Sequence, residues 1–258
     1  MAFDLKSITT GTVARPPRIL LAGVEKVGKT EFSSQAPSPI FIQVKGEQGA
    51  DALDVASFPV AQSFPDVIAA ITTLAKETHE YQTVVVDSVS ALEPLVWDET
   101  CRRNGNVDSI EKVGGGFGKG FLEALKCWRE LLDGLDHLRN EKNLTVILIG
   151  HVKVKLTNSP LVDPYDSFVV DLQDRAAALL YRWVDAALFA GRKPTTKKIE
   201  GKFQSVTTHA IGGDRSILFT SPRAGIPAGG RGVYGQLPAE LPLEWSAYAE
   251  AIAAASNK

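Results

Sequence analysis

The sequence predicts an α/β fold with a mainly parallel sheet, and three observations lead there. Short apolar runs recur at Arg18 to Ala22, Pro39 to Val44, Thr83 to Val86 and Leu144 to Ile149. Near-continuous runs of this kind suit strands buried on both faces. Between them lie stretches with helical spacing of apolar residues, as crossover connections require. Glycine or polar residues close these runs, at the edge where open α/β sheets bind ligands. With 258 residues, 44% of them hydrophobic and 22% charged, the chain suits one large domain with small appendages.

Residues 1–17 precede the first core strand, and Pro16-Pro17 marks their second half as linker. Phe3 and Leu5 alternate with polar neighbours. They fit either a strand that pairs with another subunit or a loosely ordered terminus. Residues 18–258 form the predicted domain. After the first strand, Thr30 to Gln35 continues as a helix that Pro37 ends. The second strand, from Pro39, gives way to Lys45-Gly46-Glu47-Gln48-Gly49. Ser63 to Glu80 is a helix with Val67, Ile68, Ile71 and Leu74 on one face. The strand from Thr83 ends in Asp87, and a helix follows over Ser90 to Arg103.

Asn104 to Gly120 is predicted as a flexible loop, and its last seven residues contain five glycines. Phe121 to Arg139 is an amphipathic helix with Leu122, Leu125, Trp128, Leu132 and Leu135 toward the core. The strand from Leu144 ends in His151-Val152-Lys153-Val154-Lys155. Residues 153–170 are predicted as a long polar loop, which in a compact domain is functional or disordered. A helix over Asp171 to Arg182 and a strand over Asp185 to Ala190 follow. Alternation around Phe203, Val206, Ile217 and Phe219 predicts antiparallel strands near the C-terminal edge. Leu243 to Ala255 closes the chain as a helix.

Gly23-Val24-Glu25-Lys26-Val27-Gly28-Lys29-Thr30 fits G-x-x-x-x-G-K-[ST], the phosphate-binding loop of P-loop NTPases. The glycines let backbone wrap a polyphosphate, and the loop N–H groups and the following helix start face the anion. Lys29 reaches the β- and γ-phosphates, Thr30 binds Mg²⁺, and Glu31 completes the cofactor-binding set. Asp87, at a strand tip, is the second magnesium residue. In many AAA+ ATPases a water-activating glutamate follows this aspartate directly. Ser88 stands there, so Glu47 becomes the candidate base, against the alternative of a solvated loop glutamate. His151 fits a γ-phosphate sensor or a capping histidine.

A net charge of −2 gives no global basic field, so nucleic acid must meet local basic loops. Phe117, Lys119, Lys153 and Lys155 are the candidates, beside single-stranded DNA. The basic cluster from Arg192 to Lys202 fits a solvated hairpin or a DNA patch. Two cysteines and four scattered histidines suggest no disulfide framework or metal cluster, and a reducing cytoplasm as the setting. No apolar run reaches membrane length.

The order of parts resembles the RecA-like recombinase core. Val85-Val86-Asp87-Ser88-Val89-Ser90-Ala91-Leu92 is similar to RecA's second acidic motif, serine included. Phe41 to Glu47 resembles the segment carrying RecA's catalytic glutamate, with Lys45 and Gly46 inserted, and His151 falls at its γ-phosphate switch position. More specifically, the chain resembles small phage-encoded ATPases of the Sak single-strand annealing group. The matching stretches are Pro39 to Pro59, Gly114 to Gly120, His151 to Lys155, Pro164 to Asp166, Trp183 to Ala190 and Gly235 to Trp245. The resemblance implies ATP and Mg²⁺ as cofactors, ATP hydrolysis, and self-association into a ring or filament with shared ATP sites. It also implies single-stranded DNA as partner, and a single-strand DNA-binding protein is a further candidate partner, as for a loader. Relatives place basic residues near the end of the core that reach a neighbour's γ-phosphate. Arg231-Gly232-Val233-Tyr234-Gly235 is the nearest stretch, so Arg231 joins the cofactor-binding candidates. Two other classes remain open: a nucleotide-switch or loader ATPase acting on a protein partner, and a small-molecule kinase.

Overall fold

The computed structural model describes residues 15–160, 162–193, 196–200, 206–210 and 215–257, together with 4, 8, 10 and 11. The Phe3 and Leu5 expectation lies outside the described residues, as does Phe203. The strands are β1 (Arg18–Gly23), β2 (Pro39–Gln43), β3 (Ala56–Ser57), β4 (Thr83–Asp87), β5 (Thr145–Thr157), β6 (Tyr165–Val170), β7 (Ala186–Arg192), β8 (Thr196–Glu200), β9 (Val206–Ala210), β10 (Ser216–Phe219), β11 (Gly229–Gly230) and β12 (Glu240–Pro242). The helices are α1 (Lys29–Ser34), α2 (Phe64–Lys76), α3 (Val89–Arg103), α4 (Lys119–Glu141), α5 (Asp174–Trp183) and α6 (Trp245–Ser256).

The main sheet runs in the order β12-β10-β7-β1-β5-β4-β2-β3. β7, β1, β5, β4, β2 and β3 are parallel, and β10 and β12 join antiparallel, as the sequence predicts. β5 stands between the phosphate-loop strand β1 and the strand of Asp87. β8 and β9 pair as a separate ribbon.

Alternation within each apolar run explains both layers. Leu20, Ile42, Val84, Val86, Val146 and Leu148 pack beneath α2, α3, α4 and α5. Their neighbours Ile19, Leu21, Phe41, Val85, Ile147 and Ile149 face Phe32 of α1 and Tyr248 of α6. A strand apolar on both faces can be buried only between two helical layers. α2 starts on a capping box, in which Ser63 Oγ accepts from Asp66 N and the Asp66 carboxylate accepts from Ser63 N.

Two loops predicted from sequence are folded. Residues Ile110–Gly115 form a 3₁₀ turn that buries Ile110 and Val113. Gly120 seals it to α4, since a Cβ there would meet Ile110 O at 1.9 Å. The predicted loop 153–170 is a β-hairpin instead. β5 leaves the sheet after His151, and Val152 to Thr157 pair with β6. The alternation Val152-Lys153-Val154-Lys155-Leu156 is its period-two signal.

Candidate functional site

The finishing ends of β1, β2 and β4, and the point at His151 where β5 leaves the sheet, open onto a cavity of about 720 Å³. Glu25, Lys26, Gly28, Lys29, Thr30, Glu31, Glu47, Asp87 and His151 line it, all of them singled out from the sequence. The loop between β1 and α1 is built by left-handed backbone at Lys26 (φ 53°) and Gly28 (φ 107°). Gly23 packs so closely on β7 that a Cβ would meet Ala190 O at 2.3 Å. Two side chains brace the loop from β7 and β10: Arg192 Nη2 donates to Lys26 O at 3.2 Å and Ser216 Oγ to Val27 O at 3.0 Å. Val24 turns away, into an apolar groove with Val154, Phe168, Phe189 and Phe219.

Lys29 is buried, and its ammonium donates to Gly23 O and Val24 O, both at 2.9 Å. Burial lowers its pKa, with Asp87 and Glu47 pulling the other way. Thr30 Oγ1 donates to Asp87 Oδ2 at 3.0 Å. Burial raises Asp87 above the ordinary carboxylate range. Among the described residues no cluster of three or more His, Cys, Asp or Glu could hold a metal. The Thr30 hydroxyl and the Asp87 carboxylate are oxygen donors that would suit Mg²⁺, which takes one or two protein oxygens and completes its shell from phosphate and water. The cradle around it is tight, since a Cβ at Gly49 would meet Thr30 Oγ1 at 2.9 Å.

Glu47 stands beyond β2, its N–H donating to Val44 O at 2.8 Å. His151 Nε2 and Ser88 Oγ, the latter at 3.2 Å, both meet Glu47 Oε1. An ionised carboxylate only accepts, so the proton of that pair sits on His151 Nε2. The His151 hydrogen bond holds Glu47 below its usual range despite burial. His151 Nδ1 is buried and without a partner among the described residues. The His151 amide donates to Ser90 Oγ at 3.0 Å, which fixes the strand tip to α3.

The remaining candidates do not join the cavity. Arg231 lies at the starting ends of the strands, where its Nη2 donates to Arg182 O and Val184 O at 2.6 Å. Lys153 is ion-paired with Asp171 at 2.9 Å and Lys155 with Asp174 at 2.7 Å. Phe117 is fully exposed at the end of the glycine-rich turn, and Lys119 opens α4. Sequence reading missed Ser88 and Ser90 as donor and acceptor. It also missed Gln43, whose side chain donates to Asp51 Oδ1 at 2.9 Å and accepts from Ala50 N at 3.2 Å. The one local signal was a polar residue ending an otherwise apolar strand.

Among the described residues no helix is long and apolar enough to cross a membrane, and Cys101 and Cys127 are free and buried. No curated protein matches the chain in a sequence search. The crystal structure of the RadB recombinase is similar with a TM-score of 0.42 and 15% identity, over 78% of this chain and 90% of that one. A family profile described as an AAA domain matches residues 15–232, most of the chain, and the chain belongs to that AAA domain family.

Proposed function

We propose that the protein is an ATP-binding, RecA-like recombination protein of the phage Sak type that binds single-stranded DNA and promotes annealing of complementary strands. One observation carries this reading: Lys29, Thr30, Asp87, Glu47 and His151 converge on one cavity, and His151 is the last β5 residue in the sheet, directly before the hairpin that starts at Val152. Bound MgATP would supply an activated γ-phosphoryl group. Lys29, which donates to two carbonyls, would hold phosphate oxygens by a charge-assisted contact stronger than those it now makes. Thr30 and Asp87 would hold the cation. Glu47 keeps Oε1 on His151 and Ser88 and has Oε2 to orient water and take its proton. Arg231 reaches the site of a neighbouring copy in a ring or filament.

The test is steady-state ATP hydrolysis with and without single-stranded DNA, beside Glu47→Gln and Lys29→Ala. Glu47→Gln lowers turnover by about 10²-fold or more with nucleotide still bound. Lys29→Ala weakens nucleotide binding by roughly 10- to 100-fold. Unchanged affinity in Lys29→Ala would sink the site assignment.

A second reading draws on the hairpin surface. Lys153 and Lys155 are tied to aspartates, whereas Val154 and Leu156 are exposed on the other face. Such a hairpin suits a protein partner, as in a loader or nucleotide switch of DNA replication. Hydrolysis indifferent to DNA would favour it.

A further inference from the structure

Glu93 is a buried carboxylate that the site does not use. It lies on α3 one turn beyond Ser90, so both side chains share a helix face. Its two oxygens accept from one amide, Gln173 N, at 2.9 and 3.0 Å. Gln173 caps α5 and stands just past the returning strand of the hairpin. The hairpin base is closed by two further contacts. Asp171 N donates to His151 O at 2.8 Å, and Lys153 pairs with Asp171. A pocket of about 330 Å³ beside Glu93 shares Ser90 and Asp171 with the phosphate cavity. One short path therefore runs from His151 to Ser90, along α3 to Glu93, and on to Gln173.

The charges around Glu93 do not neutralise it. From β5 comes Lys153, whose ammonium is already taken by Asp171 and by Leu172 O at 3.3 Å. The turn before α5 adds the like charge of Asp171, and α4 contributes the uncharged Phe121. A carboxylate kept for packing alone would be replaced at no loss by a neutral side chain. We infer that Glu93 is a positioning residue that couples the phosphate cavity to the hairpin by holding its returning end on α3. The inference rests on the nucleotide reading of that cavity. Burial pushes the Glu93 carboxyl up to about 7, so the clamp carries its charge above neutrality and loses it below.

The experiment is hydrogen exchange of the amides at 152–157 and 166–173, as protection factors. The full chain is used with and without magnesium and a slowly hydrolysed ATP analogue, at pH 6 and pH 8. Direct nucleotide titration runs alongside. In the wild type, nucleotide raises hairpin protection about 10-fold at pH 8 and much less at pH 6. Glu93→Gln, which keeps shape and can still accept one bond, binds nucleotide normally and loses this response at both pH values. Glu93→Asp recovers part of it, with its pH dependence. A full response in Glu93→Gln overturns the proposal. So does a nucleotide-bound wild type whose hairpin amides do not change, and that outcome leaves the cavity assignment intact. A wild type that binds no nucleotide removes the cavity reading first, and the coupling with it.

Discussion

At the starting ends of β1 and β7, Asp185 accepts from Arg18 at 2.9 Å and Arg139 at 3.3 Å, and Arg18 also reaches Asp136 at 3.1 Å. Burial alone would raise Asp185, yet these partners bring it below its ordinary value. At the finishing ends, Lys29 rests on carbonyls, Asp87 is raised by burial, and Glu93 holds an amide. Both edges bury charge. At one edge arginines meet aspartates, while at the other Lys29, Asp87 and Glu93 are shifted by burial without a full counter-charge. A self-satisfied network explains stability, and an unsatisfied one explains why a polyanion with a divalent cation would be welcome there.

The contrast can be broken most forcefully at Asp185. Asp185→Ala leaves Arg18 and Arg139 without their shared partner and costs about 3–5 kcal/mol in urea unfolding. Nucleotide affinity of the folded fraction stays unchanged. A loss below about 1 kcal/mol would mean that the starting edge is a surface-type network.

Glu93 sharpens the comparison through pH. Its folded pKa, about 7, lies above the ordinary 4.5. The folded state therefore binds more protons than the unfolded one between these values, and stability falls as pH rises through that window. Glu93→Gln removes this dependence and melts higher than wild type at pH 8, by up to ~3 kcal/mol. The gain shrinks to nothing by about pH 4.5. Equal melting at pH 8 would show that the carboxylate is better compensated than its surroundings indicate.

The smallest effect belongs to three lysines, Lys153 and Lys155 on the hairpin and Lys119 at the start of α4. Alanine at Lys119, Lys153 and Lys155 together changes stability by no more than about 1 kcal/mol. If the hairpin meets DNA, binding weakens and the salt slope drops by roughly two to three. An intact slope would assign the hairpin to a protein partner.

The parts legible in the sequence are those that local chemistry dictates. The phosphate loop, Asp87 at its strand tip and the double-faced apolar runs each carry their own signal. Glu47 was legible as a carboxylate at the right edge, but not its two donors, because Ser88 and His151 meet it only through the sheet order. The hairpin was obscured by Pro160 and Pro164, which read as loop although the residues before them alternate. The two-residue strands β3 and β11 are too short for periodicity. Glu93 gave no sign, since a glutamate on a helix ordinarily faces water and only tertiary packing buries it.

β5 is a single uninterrupted rod of 13 residues. Its first half is wedged between β1 and β4, and the half after His151 hydrogen-bonds to β6 alone, with Val152 and Val154 toward Phe189 and Phe219. At ~3.3 Å per residue the projecting half extends about 20 Å. A tilt of ~10° at the fulcrum would sweep its tip through about 3.5 Å, a displacement on the scale of one nucleotide step or one side-chain register.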